Sequence, residues 1–470
     1  MSRVVVVGGG IGGLVSGALL GRAGHDVTLI EAADYLGGKS RRITLDGQRI
    51  DTGPSLLTFP GVWREFLARY EAGGGTQTTG PPLLRLPEVG RYYHAETVSS
   101  LPVERDHPWH AAWKGFVRTH GGLGTEVERL LTSDPADPKM LPALGRLLAT
   151  YGARLTTRGY LDSLGWMPDG LREVIAIHTL NAGVAPTRTP ALYASMPAIM
   201  ATDGVWVPEG GIYELVVSLE GLARRAGVQI RTGESVVEVE AGRVETDAGA
   251  YTADVVVSDV DETRLARLLG AHEKPDRMRL SCSGVAIYAA LKEELPAGVA
   301  THGVVLPSRP DELYASLEAG SEPQESMAFV NYYRPGEVYP NERGTLGLLL
   351  TAPANGRQYG LDDPFVKREE ERISHLLGLP RPISDYFGET AVLHPEYFGL
   401  WGGTGGALYG AVRRVWRSGP LHSPAYNDRR RPWLWRVGAS VHPGGGIPAV
   451  LGGAMISTRR LLAAIGGGTT

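Results

Sequence analysis

The amino-terminal residues carry a spacing of glycines that can bind a phosphate group. An apolar strand pattern, Val4–Val7, leads into the loop Gly8-Gly9-Gly10-Ile11-Gly12-Gly13 and then into a helix of small residues. In such a unit, Gly8 permits the tight turn, Gly10 lets the backbone approach a pyrophosphate, and Gly13 lets the helix pack on the strand. Free N–H groups and the positive dipole end at the helix start favour an anion. The pattern predicts a dinucleotide-binding unit.

An acidic residue completes this unit. Glu31 follows a second apolar run and lies 18 positions after Gly13 (31 − 13). A carboxylate at the end of the second strand can accept hydrogen bonds from ribose hydroxyls, and it disfavours a 2′-phosphate. Three glycines alone are weak evidence in a chain with 64 of them. The order of strand, loop, helix, strand and acid makes the prediction specific, and we expect Ile11, Gly12 and Glu31 to contact the ligand.

A second group of glycines and donors follows. The pair Gly37-Gly38 precedes Lys39, Ser40 and Arg41, and the segment Gly53-Pro54-Ser55 comes shortly after. Paired glycines allow close backbone approach, and the three polar side chains supply donors for phosphate. An ordinary turn beside a solvated basic cluster would contain the same residues, so this second prediction depends on the first.

Composition excludes several classes of protein. A chain of 470 residues with 43% hydrophobic and 21% charged residues suggests two or three folded domains rather than disorder. A net charge of −4 gives no reason to expect nucleic acid as a partner. The single cysteine, Cys282, excludes internal disulfides, cysteine-ligated clusters and cysteine-rich zinc sites, and we expect no metal.

The apolar and charged patterning of the chain bears on its cellular location. No charged segment with an apolar core precedes Val4, and no run of eighteen or more apolar residues occurs, so we expect neither a signal peptide nor a spanning helix. A reducing cytoplasm fits the cysteine count. Peripheral contact with a membrane stays open, because it needs only an amphipathic surface.

The middle of the chain has helical spacing. Apolar residues recur at intervals of three and four over Leu141–Leu155 and Leu171–Leu180, and Ala191–Met200 is apolar with a proline break. With Trp166 and Met167 nearby, these helices can form a mouth that dips into a membrane. Buried core helices have the same sequence pattern, and both interpretations stay open.

Strand patterns return after this helical region. They are typical of a sheet that completes the dinucleotide domain and of a second, mixed sheet that covers a cavity. The strands are expected at Val236–Val239, Arg243–Thr246, Ala253–Asp259, Gly284–Ala290, Ala328–Tyr332 and Gly344–Leu350.

The carboxy-terminal segment Leu434–Ala454 is the most specific in the chain. It has a strand that ends at Gly438, a glycine-rich crossing and a helix that starts near Pro448. This segment resembles the flavin motif of bacterial carotenoid desaturases of the phytoene desaturase family. The amino-terminal unit and the glycine pair resemble the flavoproteins with two dinucleotide-binding domains.

The resemblance implies an α/β fold with a Rossmann-like FAD-binding domain, a mixed-sheet substrate domain and a helical insertion. The FAD domain is expected to be discontinuous and to consist of residues 1–75, 203–275 and 430–470. Residues 76–202 are expected to form a largely helical region that contacts substrate or membrane, and residues 276–429 the substrate domain.

The resemblance also assigns the cofactor residues. A backbone segment at Val236 would touch the adenine ring, and amides at the last helix would bind the flavin pyrimidine carbonyls. No catalytic residue is assigned, although Ser55, Glu209 and His442 would lie near the flavin. The expected FAD-binding residues are Gly8, Gly10, Ile11, Gly12, Gly13, Glu31, Gly38, Lys39, Ser40, Gly53, Pro54, Ser55, Val236, Gly438, Ile447 and Pro448.

The implied reaction is the desaturation of an acyclic carotenoid by hydride transfer to flavin, with oxygen or a membrane quinone as electron acceptor. The segment Gly403–Gly410 resembles desaturases that act late on hydroxylated or methoxylated ends, which implies 3,4-desaturation. The segment Pro424–Arg431 resembles phytoene desaturases, so the two segments conflict. Phytoene or neurosporene desaturation, a flavin-dependent polyene isomerase or saturase, an amine oxidase and a flavin-holding scaffold remain alternatives.

Overall fold

The computed structural model describes residues 1–74, 78–95, 97–271, 279–401, 403–415 and 421–466. The strands are β1 Arg3–Val7, β2 Asp26–Ile30, β3 Arg41–Leu45, β4 Gln48–Thr52, β5 Leu83–Arg85, β6 Gly90–His94, β7 Thr97–Leu101, β8 Trp206–Pro208, β9 Gln229–Arg231, β10 Val236–Glu240, β11 Arg243–Thr246, β12 Ala250–Thr252, β13 Val255–Ser258, β14 Ser283–Leu291, β15 His302–Val305, β16 Ala328–Tyr333, β17 Thr345–Ala352, β18 Phe387–Leu393, β19 Asn427–Asp428 and β20 Arg431–Arg436. The α-helices are α1 Ile11–Arg22, α2 Pro60–Ala72, α3 His110–His120, α4 Gly124–Thr132, α5 Leu141–Tyr151, α6 Thr157–Asp162, α7 Asp169–Ala176, α8 Met196–Asp203, α9 Glu214–Arg225, α10 Glu262–Leu268, α11 Pro310–Ala319, α12 Pro364–Leu376, α13 Pro395–Trp401 and α14 Ile447–Gly466.

A six-stranded sheet holds both ends of the chain together. Its strand order is β19-β20-β13-β1-β2-β9, and every pair is parallel except β19 with β20. The valines of β1 are buried because α1 covers one face of this sheet and the small antiparallel sheet β10-β11-β12 covers the other, which explains a continuous apolar run rather than an alternating one. The predicted Rossmann-like unit is confirmed.

A seven-stranded sheet forms the second layer. Its order is β18-β14-β17-β16-β15-β6-β7, and it is mixed, since β15 and β6 pair in parallel and the other pairs are antiparallel. Every residue of β14 is buried. The predicted mixed sheet is therefore present, with strands close to the expected positions.

The helical region differs in detail from the prediction. The helix expected over Leu141–Leu155 ends at Tyr151, because Gly152 takes a positive φ of +59° there. The expected helix Leu171–Leu180 begins earlier, as α7, and continues as a 3₁₀ segment over Ile177–Ala182. Strands β6 and β7 from this part of the chain join the seven-stranded sheet. The boundary expected between residues 275 and 276 lies outside the described residues, and the domain division stays a prediction.

Among the described residues, α14 alone is long and apolar enough to cross a membrane, and half of it is buried inside the protein. It packs on α1, α2 and α4, and Thr458 donates to Ser16 of α1 at 2.9 Å. A Cβ at Gly452 would stand 1.9 Å from the carbonyl oxygen of Leu131 in α4. These contacts make α14 a core helix of the part of the molecule that contains the six-stranded sheet.

The contact at Gly452 yields a stability prediction. Gly452→Ala should lower the free energy of unfolding by about 1–3 kcal/mol, because the backbone of α4 must move away. As a control, Gly145→Ala in α5 has nothing within 4 Å of the new Cβ and should stabilise by about 0.5–1 kcal/mol. Thermal unfolding midpoints measure both changes, and an unchanged midpoint for Gly452→Ala would contradict this packing.

Candidate active site

A cavity of about 480 Å³ lies between the glycine loop before α1 and the inner face of the seven-stranded sheet. Of the expected cofactor residues, all but Gly13 line it. The lining set is Gly8, Gly10, Ile11, Gly12, Glu31, Gly38, Lys39, Ser40, Gly53, Pro54, Ser55, Val236, Gly438, Ile447 and Pro448. The fold thus brings together residues from seven separate stretches of the chain.

The glycines of the loop are required by close backbone approach. A Cβ at Gly13 would stand 2.1 Å from the carbonyl oxygen of Gly8, so Gly13 permits α1 to pack against β1. A Cβ at Gly10 would stand 2.5 Å from a carboxylate oxygen of Asp259. A side chain at position 10 would therefore collide with this carboxylate at the start of α1.

Glu31 stands beside this loop. Its two carboxylate oxygens accept from the backbone N–H groups of Gly9, at 2.7 Å, and Ala33, at 2.8 Å. These bonds fix the carboxylate at the cavity wall and leave lone pairs for further donors. The expected bond to ribose hydroxyls stays a prediction.

The three donor residues after the glycine pair Gly37-Gly38 do not all lie at the cavity. The hydroxyl of Ser40 is buried and has no hydrogen-bond partner among the described residues. The ammonium of Lys39 donates to the carbonyl oxygen of Leu408. Arg41 is turned toward Tyr35, whose ring lies 4.6 Å from the guanidinium carbon, and it does not line the cavity. Lys39 and Ser40 thus lie at the cavity, whereas Arg41 does not.

The residues present fit FAD. The glycine loop provides a cradle at a helix start, the orphaned Ser40 hydroxyl provides a donor, and Gly438 and Ile447 bring the start of α14 to the same cavity. Burial of an unpartnered hydroxyl costs free energy, and a bound phosphate or sugar oxygen would remove that cost.

Asp259 is a site residue that the sequence did not single out. Its carboxylate follows β13, with one oxygen 2.5 Å from a Cβ built at Gly12 and 2.4 Å from one built at Gly438. Burial raises the pKa of Asp259 to about 7, although N–H groups of Gly13 and Gly10 stabilise its charge. An aspartate directly after an apolar strand pattern was the signal in the sequence, and the pairing of that strand with β1 comes from the fold. It lies where an anion would bind, and it is half-protonated near neutral pH.

The far wall of the cavity is the seven-stranded sheet. Tyr288 of β14 accepts a hydrogen bond from Gly53 N–H at 2.9 Å, and Tyr333 of β16 donates to the carbonyl oxygen of Ser55 at 3.4 Å. Burial raises the pKa of Tyr288 to about 12, so this hydroxyl is neutral. The two tyrosines join the sheet directly to the predicted flavin segment Gly53–Ser55.

The helical region supplies the remaining wall. His178 and Asn181 line the cavity, and His178 Nε2 lies 2.9 Å from the hydroxyl of Tyr92. Burial lowers the pKa of His178 to about 4, so its imidazole is neutral at physiological pH. Sequence spacing did not identify these polar residues, because they lie on a 3₁₀ segment within an apolar stretch.

Two candidates lie outside the cavity lining. Glu209 is exposed, and its backbone N–H donates to Pro82. His442 accepts from Tyr426 through its backbone oxygen, and burial lowers the pKa of its imidazole to about 4. Ser55, by contrast, lines the cavity. Cys282 is buried and does not line the cavity, and burial raises the pKa of its thiol to about 12.

The fold and cavity define an FAD-binding oxidoreductase. The family model for flavin containing amine oxidoreductases matches residues 11–290, which is more than half of the chain, and the chain belongs to that family. A solved structure of putrescine oxidase, wild type bound to putrescine, is similar over 99% of both chains, with a TM-score of 0.63 and 15% identity. At this identity the similarity shows the fold alone.

Two relatives with assigned activities are carotenoid desaturases. The chain is 27% identical over 492 residues to a zeta-carotene-forming phytoene desaturase of Myxococcus xanthus, covering 98% of this chain and 94% of that protein. It is 29% identical over 511 residues to a hydroxyneurosporene desaturase of Rubrivivax gelatinosus, covering 98% and 93%. The expected resemblance to carotenoid desaturases is confirmed.

The position of Asp259 predicts that FAD binding depends on pH. Above about pH 7 its carboxylate is charged and repels the pyrophosphate, so the dissociation constant for FAD should rise several-fold between pH 6 and pH 8. Asp259→Asn keeps the shape without the charge and should bind FAD tightly with little pH dependence. Titration of apoprotein with FAD measures both, and an equally pH-dependent variant would contradict the role of Asp259.

Gly10→Val should lose flavin, because the new side chain would fill the pyrophosphate space before α1. Gly165→Val, whose Cβ meets nothing within 4 Å, is the matched control and should keep it. The flavin absorbance of the purified proteins measures the bound cofactor. Full yellow colour in Gly10→Val would exclude the glycine loop as the binding site of the pyrophosphate.

Proposed function

We propose that the protein introduces a carbon–carbon double bond into an acyclic carotenoid, by 3,4-desaturation of an end that carries a 1-hydroxyl group. The observation that carries the proposal is that one cavity is lined both by the glycine loop before α1 and by the inner face of the seven-stranded sheet. The names of the relatives support a carotenoid as the substrate class. One relative is named as a desaturase of a hydroxylated carotenoid, hydroxyneurosporene.

The lining of the cavity suits a neutral, apolar substrate. None of its charged residues belongs to the seven-stranded sheet or to the helical wall. They are Glu31, Lys39, Asp51, Glu234, Asp259, Asp261 and Arg264. Asp51 is held in an ion pair with Arg42 at 2.7 Å. A cationic amine would find no free carboxylate on the sheet, so this lining disfavours the amine oxidase alternative.

FAD, when bound, supplies the acceptor for the hydride that leaves one of two adjacent carbons, while the second carbon loses a proton. The chain's own contribution is to hold the polyene against the flavin segment Gly53–Ser55 and to exclude water. Positive charge that develops on the substrate is delocalised along the polyene. The reaction therefore does not require a strong protein base. His178 and Tyr288 in the cavity wall are neutral, and neither is a strong base.

The two conflicting segments lie in different places. Leu408, Tyr409 and Gly410 of the segment that resembles late desaturases line the cavity. The segment Pro424–Arg431 contains β19, at the edge of the six-stranded sheet, and contributes nothing to the lining. A segment that touches substrate is better placed to reflect substrate choice, which favours the hydroxylated end.

Coexpression tests this function. In bacteria that accumulate either phytoene or a 1-hydroxylated acyclic carotenoid, pigment chromatography should show a longer chromophore only with the hydroxylated substrate. Oxygen or a quinone would then reoxidise the flavin. Colour from phytoene would instead establish phytoene desaturation, and no change with either substrate would favour an isomerase, a saturase or a scaffold.

We further propose that the protein acts at the cytoplasmic face of a membrane, docked through α5. Leu141, Leu144 and Leu148 lie at helical spacing on this helix and are 66%, 39% and 67% exposed, and Leu155 beyond it is 71% exposed. Residues 139–158 contain four basic and no acidic residues. An apolar face with basic neighbours suits an anionic bilayer, which also dissolves a carotenoid.

Vesicle sedimentation tests this surface. The double variant Leu141→Gln and Leu148→Gln should lose most binding to vesicles that contain anionic lipid, because it removes the apolar face and keeps every charge. Val217→Gln on α9, which is 46% exposed and far from α5 in sequence, is the control and should sediment as the unaltered protein does. Equal sedimentation of the double variant would contradict docking through α5.

A further inference from the structure

A row of side chains crosses the seven-stranded sheet at the cavity. His302, Asn331, Gly347 and Tyr288 are paired in register on the adjacent strands β15, β16, β17 and β14. Residues paired in this way share one face of the sheet. Since neighbouring strands lie about 4.8 Å apart, the row is about 14 Å long. All four residues line the cavity, and Tyr288 joins one end to Gly53.

The neighbouring row on the same face is apolar. Val304, Phe329, Leu349 and Ala286 are paired across the same four strands, and all of them line the cavity. The sheet therefore presents one row with hydrogen-bonding groups beside one row without them. An entirely hydrocarbon substrate would gain nothing from the polar row and would leave its groups unpaired.

Two atoms in this row have no hydrogen-bond partner among the described residues: Nε2 of His302, which can accept, and the amide nitrogen of Asn331, which can donate. His302 Nδ1 donates to Asn331 Oδ1 at 2.7 Å, which fixes the plane of the carboxamide. Burial lowers the pKa of His302, so its imidazole is neutral. The amide nitrogen of half-buried Asn331 has no acceptor among the described residues. A fixed donor without an acceptor at a cavity wall marks a place for a ligand oxygen.

Gly347 opens the space beside this donor. A Cβ there would stand 3.4 Å from the Tyr288 ring and 3.9 Å from the Cβ of Asn331, and it would fill the gap between them. Without a side chain at 347, a substrate chain can lie on the sheet between Tyr288 and Asn331. At the other end of the row, the ring of His302 packs against the ring of Tyr333 at a centroid distance of 5.5 Å. The hydroxyl of Tyr333 donates to the carbonyl oxygen of Ser55.

We propose that Asn331, oriented by His302, donates a hydrogen bond to the hydroxyl oxygen at the end of the substrate and thereby determines which end lies beside the flavin. This inference depends on the proposed function, because it assigns the residue that recognises the hydroxylated end. Asn331 touches substrate and sets specificity, whereas His302 acts through it as a positioning residue. A hydroxyl group both donates and accepts, so it pairs well with a carboxamide.

The test compares two substrates that differ only in the 1-hydroxyl group. Asn331→Leu should lower kcat/KM about tenfold or more for the hydroxylated carotenoid, with little change for the hydrocarbon, because a buried hydroxyl then loses its partner. Phe329→Leu, on the same strand and face in the apolar row, should leave the ratio of the two kcat/KM values unchanged. Bound flavin, read from its absorbance, shows that each variant is folded.

The positioning role of His302 has its own readout. His302→Phe should lower the same ratio, and His302→Gln, whose amide can still donate to Asn331, should restore it. Equilibrium binding of the hydroxylated carotenoid, followed by its absorption band, should weaken in parallel with kcat/KM.

The outcomes separate the two proposals. A wild-type enzyme without any preference for the hydroxylated substrate would overturn the proposed function. A wild-type preference that persists in Asn331→Leu would overturn the role of Asn331 and leave the function standing. Failure of His302→Gln to restore the ratio that His302→Phe loses would overturn the positioning role.

Discussion

The close approach of backbone to backbone at the start of α1 is the constraint on which the rest depends. Gly13 must lie against the carbonyl of Gly8 for the helix to pack on β1, and this packing aims the helix start at the cavity. The partial positive charge there attracts an anion, and Asp259 already supplies one from the next strand of the sheet. The phosphates of a bound FAD would therefore lie beside this carboxylate, and the protonation of Asp259 would change the affinity of the site.

The two sheets provide different parts of the site. The parallel sheet holds a charged, glycine-lined cradle, and the mixed sheet presents a neutral surface with one polar row and one apolar row. Tyr288 and Tyr333 connect the two, since each pairs with the backbone of the flavin segment Gly53–Ser55. A long polyene bound as proposed on the mixed sheet would thus be held in register with the cofactor by backbone geometry and not by charge.

Local rules predicted the parts of the site that depend on backbone. Glycines at fixed offsets and an acid after the second strand have a local cause, so the residues of the amino-terminal dinucleotide unit could be predicted before the fold was known. Val236 and the residues at the last helix were predicted from the resemblance to flavoproteins and carotenoid desaturases. The mixed sheet was recognisable from its strand patterns. Helix ends were less predictable, because Gly152 and the turn into a 3₁₀ segment at Ile177 override an apolar period that continues beyond them.

The sequence by itself determined that the chain binds a dinucleotide and has a Rossmann-like domain with a mixed-sheet partner, since these follow from short-range spacing. Only the tertiary structure decided which polar residues share the cavity. His302 and Asn331 are 29 positions apart, and Tyr288 and Gly347 come from further strands. Strand order and register place them in one row, and no local pattern encodes register between strands that are distant in the chain. The same holds for Asp259, whose carboxylate reaches α1 only because β13 pairs with β1.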